Sequence, residues 1–148
     1  MDTGRMVLDR MAYVRVQDVL LMISGELGAS DQDLSTWLER LAVYDYRGLL
    51  VSVRGNGGIS SKQRGRIADF WKRAGRKPPP VALVSDSAVS RGVLTAISWM
   101  LESSTKAFAP SDLRGALAFL GTSAPIAEVA SHLDALHAAL EKKARRSA

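Results

Sequence analysis

The sequence predicts an α/β domain in which a mostly parallel sheet opens with an antiparallel hairpin and carries helices packed on it. The expected order is ββαβαβαβα plus an extra C-terminal helix. Three observations carry this prediction. "GLLVSVRG" (48–55) and "VALVSDS" (81–87) are continuous apolar runs rich in β-branched residues, the mark of strands covered on both faces. The segments between and after them place apolar residues every three or four positions, as a helix with one buried stripe does. Strands that alternate with single helices pair in parallel, and right-handed crossovers leave few other arrangements.

Tyr13, Val14 and Val16, then residues 19–23, read as two short strands joined at Gln17-Asp18. Ser30, with Asp33 three positions later and Asp31 between, signals a helix start, and Leu34, Trp37, Leu38 and Leu41 form its apolar face. After "GLLVSVRG", the Gly-rich stretch 55–58 leads to Ser60 and Gln63, an S-x-x-Q capping box that predicts a helix from Ser61. That helix turns Ile67, Phe70, Trp71 and Ala74 inward and its basic residues outward, and ends at Gly75 ahead of "RKPPP". "VALVSDS" is followed by a predicted helix from about 88 to 101, and "TKAFAP" by a helix capped by Ser111 and stopped by Gly121. The last helix starts near Pro125, and its Val129, Leu133, Leu136 and Leu140 make a narrow heptad seam. That seam serves either packing on its own domain or a homodimer interface, and packing is the expectation.

At 148 residues the chain suits one domain: a flexible N-terminus over 1–11, a core over 12–121, and a C-terminal helix with a basic tail over 122–148. The opening "MDTGRMVLDRM" has no apolar core and no cleavage site, so it is not expected to be a signal peptide. The longest apolar stretches, such as 19–23 and 93–97, fall far short of the roughly 20 residues a membrane span needs, and a cytoplasmic protein is expected. Without cysteine, disulfides, thiolate chemistry and sulfur-ligated zinc are excluded. His132 and His137 are five apart, about 140° around a helix, so they cannot chelate one metal together; surface or edge positions are expected for both. No metal or other cofactor is implied.

Charge is concentrated. Residues 62–77 hold Lys62, Arg64, Arg66, Lys72, Arg73, Arg76 and Lys77 against Asp69 alone, within a chain of net charge +5. Residues 141–146 add Lys142, Lys143, Arg145 and Arg146 against Glu141, and a neutral-to-acidic body with one basic helix and a basic tail is a directional field that steers anionic partners.

The early hairpin with its acidic-capped helix (13–41), the strand leading to a serine-capped helix (49–74), and "VALVSDSAVSRGVLTAISWM" followed by "FAPSDLRGALAFL" resemble the STAS domain family of sulfate transporters and anti-sigma-factor antagonists. The nearer resemblance is to its divergent STAS/SEC14-like bacterial group. It covers about 13–120 and implies a non-catalytic regulatory or adaptor domain that binds a protein partner in bacterial signalling. In the anti-sigma-antagonist branch a serine at this helix start is phosphorylated, and the matching place here is Ser60 or Ser61. The family pattern has Asp directly before that serine and Gly after it, whereas this chain reads Ile59-Ser60-Ser61-Lys62, which favours plain capping by Ser60.

The expected partner surface comprises Ser60, Ser61, Lys62, Arg64, Arg66 and Arg91, facing a protein with an acidic surface. One alternative is a lipid or anionic-membrane surface, as the SEC14-like label implies. Another is a phosphate or nucleotide held by Gly57, Gly58, Ser60 and Ser61, although the loop fits neither G-x-x-x-x-G-K-[ST] nor G-x-G-x-x-G. Nucleic acid is disfavoured because Phe70 and Trp71 share the inward stripe and so offer no stacking platform. Asp86 lies between Ser85 and Ser87 at a strand end where α/β proteins place sites, but no base is assignable to it, and no enzyme is expected.

Overall fold

The computed structural model of the chain describes residues 4–25, 28–43, 45–54, 60–75, 77–85 and 104–147. Its strands are β1 (Met6–Val7), β2 (Met11–Val16), β3 (Val19–Ser24), β4 (Gly48–Val53), β5 (Val81–Ser85) and β6 (Thr105–Phe108). Its described helices are α1 (Asp31–Val43), α2 (Ser61–Ala74), α3 (Leu113–Leu120) and α4 (Ile126–Ser147). The predicted helix over 88–101 lies outside the described residues.

The six strands lie side by side in sequence order, β1-β2-β3 antiparallel and β3-β4-β5-β6 parallel. This is the predicted sheet with one more strand at its edge. Met6 pairs with Tyr13 and Val7 with Ala12, so two residues of the segment expected to be flexible pair with the sheet edge. Two residues are too few for the sequence pattern to register, and they are held by backbone pairing to β2. The hairpin turn is as predicted: Val16 faces Val19, and Gln17 adopts φ 52°, the left-handed value a two-residue turn requires.

Each strand alternates its side chains between two cores. Tyr13, Leu20, Leu49 and Leu83 meet Leu34, Trp37, Leu41, Ile67 and Trp71 of α1 and α2 on one face. Val14, Leu21, Leu50 and Ala82 meet Leu117 and Leu120 of α3 and the apolar residues of α4 on the other. Parallel neighbours joined in sequence order by crossovers of one hand put α1 and α2 on the same side, which leaves the opposite face for the helices after β6. There α3 lies over β4, β5 and β6 while α4 lies over β1, β2 and β3. The approach of α3 is close: a Cβ on Gly48 would sit 2.9 Å from Leu120 Cδ2 and 3.1 Å from its Cβ, so a larger residue at the start of β4 would push the Leu120 side chain aside.

The heptad seam of α4 is spent on its own sheet. Val129, Leu133, Leu136 and Leu140 are all buried in the α3/α4 core, so this seam offers no surface for a homodimer. The histidine expectation is corrected: His132 and His137 are both buried. They lie about 70° to either side of the seam at 100° per residue, and a helix lying on a sheet buries a broader stripe than a coiled-coil seam. Among the described residues no helix is long and apolar enough to cross a membrane.

Candidate functional site

The start of α2 is built as its sequence prescribes. Ser60 Oγ accepts from the Gln63 amide at 3.1 Å, and Gln63 Oε1 accepts from the Ser60 amide at 3.1 Å, a closed capping box. The buried Gln63 amide group also donates to Ala29 O at 2.9 Å and to Asp31 Oδ1 at 3.1 Å, which fixes the start of α2 against the start of α1. Gly75 closes the helix at φ 63°, its amide bonded to Lys72 O.

Two other cap expectations are met differently. At α1, Ser30 Oγ accepts from the Asp33 amide at 3.1 Å, but the buried Asp33 carboxylate accepts from the amides of Asp9 (3.3 Å) and Arg10 (2.7 Å) instead of closing a box. Asp33 thereby ties α1 to the segment entering β2. At α3 the cap is Asp112, whose Oδ1 accepts from the Gly115 amide at 3.1 Å, rather than Ser111. Asp112 is the residue directly before the first helical position, and its carboxylate also complements the positive end of the helix dipole.

Along α2, Lys62, Arg66, Asp69 and Arg73 recur at the spacing of one helix face, with Lys72 beside them. The predicted cations divide into two kinds. Arg66 reaches α1, donating to Asp31 O at 3.3 Å and Ser35 Oγ at 2.5 Å, and Arg64 donates to Ser61 Oγ at 2.9 Å. Lys62, Lys72 and Arg73 are exposed and, among the described residues, stand in no ion pair. Ser60, Ser61, Lys62, Arg64 and Arg66 are therefore brought together at the first two turns of one helix. Gly57, Gly58 and Arg91 lie outside the described residues.

A second constellation sits on the opposite face, at the C-terminal ends of the parallel strands. Ser52 Oγ and His137 Nε2 are 2.8 Å apart and both residues are buried. The imidazole is held neutral, its pKa pushed down to about 4 by burial and then by the Arg54 guanidinium, with Asp134 opposing. A serine against a histidine is the beginning of a nucleophile–base pair, but so weak a base takes up a proton poorly. The geometry makes this pair a hydrogen bond that joins β4 to α4. Arg54 Nη2 lies 3.2 Å from Asp134 Oδ1, and its Nη1 lies 3.9 Å from Glu141 Oε1. A cavity of about 310 Å³ opens here, lined by Ser52, Arg54 and Asp134 together with apolar residues of β4, β5, α3 and α4. His132, nearer the start of α4, accepts at Nδ1 from Arg5 Nε at 2.9 Å. Because a guanidinium only donates, the imidazole proton is on Nε2; burial and then Arg5 lower the His132 pKa, against Glu128. Among the described residues no cluster of His, Asp and Glu could hold a metal ion.

The Ser52–His137 pair was not foreseen. The signal available was a hydroxyl in a strand buried on both faces, which needs a hydrogen-bond partner, but nothing local says that the partner is 85 positions away.

No family model and no curated protein matches the chain. Among solved structures, the crystal structure of Tm1679, a metal-dependent hydrolase of the beta-lactamase superfamily, is similar over 68% of this chain and 37% of that one, at 14% identity and a TM-score of 0.39. The match thus spans little more than a third of that protein, and a likeness of this size carries no argument about fold or activity.

Proposed function

We propose that this chain is a non-catalytic, cytoplasmic regulatory or adaptor domain of a bacterial signalling pathway, binding a protein partner with an acidic surface through the outer face of α2. The observation that carries the reading is the set of exposed cations, Lys62, Lys72 and Arg73, which stand in no ion pair among the described residues and outnumber the single Asp69 on their face, on a helix anchored at its start by a closed cap. Such a face steers an acidic partner from a distance and fixes its register on contact. The resemblance to the STAS family adds support through the hairpin, the parallel strands after it and the serine-capped helix. Within this reading Ser61, exposed and bonded to Arg64, is the better placed serine for a phosphate, because the Ser60 hydroxyl already serves the cap.

The test is affinity capture on the immobilised full chain, with K62E/K72E/R73E alongside. These three are better choices than Arg64 and Arg66, whose reversal would also break bonds within the fold. The reading expects a discrete acidic protein that is retained by the wild type, released by salt well above 0.15 M, roughly where screening shortens below 8 Å, and lost from the variant. Equal retention by the variant contradicts it. Salt-sensitive sedimentation with phosphatidylglycerol vesicles, without a protein partner, would replace it by the lipid reading.

A further inference from the structure

The polar groups around the cavity have no part in the α2 surface, which lies on the other side of the sheet. The cavity sits at the carboxyl ends of β4 and β5, under the starts of α3 and α4. At about 310 Å³ it suits a small molecule only. Its walls are mixed, and their apolar part comes from Val84 of β5, Leu113 of α3 and Ala130 and Leu133 of α4. Ser52 also lines it, with its hydroxyl already bonded to His137, so an apolar group beside it would not strand that hydroxyl.

Arg54 and Asp134, of opposite charge, line the same cavity. Their ion pair is solvent-washed, the side chains being 52% and 80% exposed, and a pair of this kind is held weakly enough to exchange partners. Glu141 adds a second carboxylate near Arg54, which leaves the trio with one net negative charge. A lone anion therefore meets two carboxylates, and a lone cation meets the guanidinium. A ligand with both charges on neighbouring atoms satisfies both sides, with its carboxylate on the Arg54 fork and its ammonium on Asp134. Its remaining group would then lie against the apolar part of the cavity.

We propose that this cavity binds a small zwitterion with an apolar side chain, an α-amino acid of about the size of leucine. The test is calorimetric titration of the full chain with three probes: L-leucine, 4-methylpentanoate, which lacks the ammonium, and 3-methylbutylamine, which lacks the carboxylate. Leucine is expected to bind and each half-ligand to bind at least about tenfold more weakly, as loss of one charge-assisted contact implies. R54Q and D134N alter exposed side chains and should leave the fold intact. Each should weaken leucine by about the same factor, and D134N should bind leucine and 4-methylpentanoate alike. K62E/K72E/R73E should bind leucine as the wild type does, which separates this site from the α2 surface. Absence of leucine binding up to ~10 mM, far weaker than a specific site requires, would overturn the proposal. So would half-ligands that bind as tightly as leucine, or undiminished binding by R54Q.

Discussion

On the face of the sheet covered by α1 and α2, the buried Asp33 and Gln63 occupy the first turns of their helices and bond backbone groups nearby. On the face covered by α3 and α4, Ser52 and His137 meet within the core itself, beside a cavity. The first face is a platform whose helix α2 presents charge outward. The second holds polar groups inward, where burial favours the neutral imidazole of His137. The difference teaches that both faces depend on packing, whereas the second also responds to protons.

The largest effect should come from packing and should not separate the faces. Leu41→Ala, under α1, and Leu136→Ala, in α4, remove fully buried side chains, and each should lower unfolding free energy by about 3 kcal/mol in urea titrations. A much smaller loss at Leu136 would mean that the cavity lets the second face collapse. Acid should separate the faces. The folded His137 holds its proton less tightly than the unfolded chain does, so its contribution is present above about pH 6.5 and is lost as pH falls toward 4. The loss should reach up to about 3 kcal/mol relative to His137→Gln, with Arg54 favouring the neutral ring and Asp134 opposing it. Parallel wild-type and variant curves between about pH 7 and 4.5 would contradict the burial of a neutral imidazole.

Smaller effects sharpen the contrast. Ser52→Ala leaves a ring nitrogen of His137 without its partner and should cost about 2 kcal/mol, most of which Ser52→Ala with His137→Leu should recover. Ser60→Ala, at a cap on the other face, should cost about 1 kcal/mol and leave the pH dependence unchanged. K62E/K72E/R73E should lower the unfolding free energy by no more than about 1 kcal/mol, since Glu at 72 and 73 opposes the helix dipole in the last turn while Glu at 62 suits it in the first, and none of the three native side chains makes an ion pair among the described residues.

The platform face was the legible one. The period of Leu34, Trp37, Leu38 and Leu41, and the spacing of Ser60 and Gln63, are local signals, and local signals suffice where an element's partners are its own turns and a flat apolar sheet. The hairpin and the parallel strands followed in the same way. What sequence could not supply was set by contacts over long separations. Asp33 resembled half of a capping box and instead holds residues 9 and 10; Met6 and Val7 are strand only because β2 offers an edge. Arg54, Asp134 and Glu141 carry no joint signal in the sequence and meet only where β4 and α4 are placed together. At the candidate site the charge pattern of α2 was readable, but its division into cations tied to the fold and cations turned to solvent needed the geometry of α1.

The central claim is that the outer face of α2 meets the partner, and amide chemical-shift mapping of the full chain against the captured partner tests it most directly. The account predicts that the shifted and broadened amides cluster on Ser61–Ala74 and that the perturbation disappears in K62E/K72E/R73E. Perturbation confined to Leu113–Leu120 and Ile126–Ser147, with α2 unaffected, would contradict it and move the interface to the other face of the sheet.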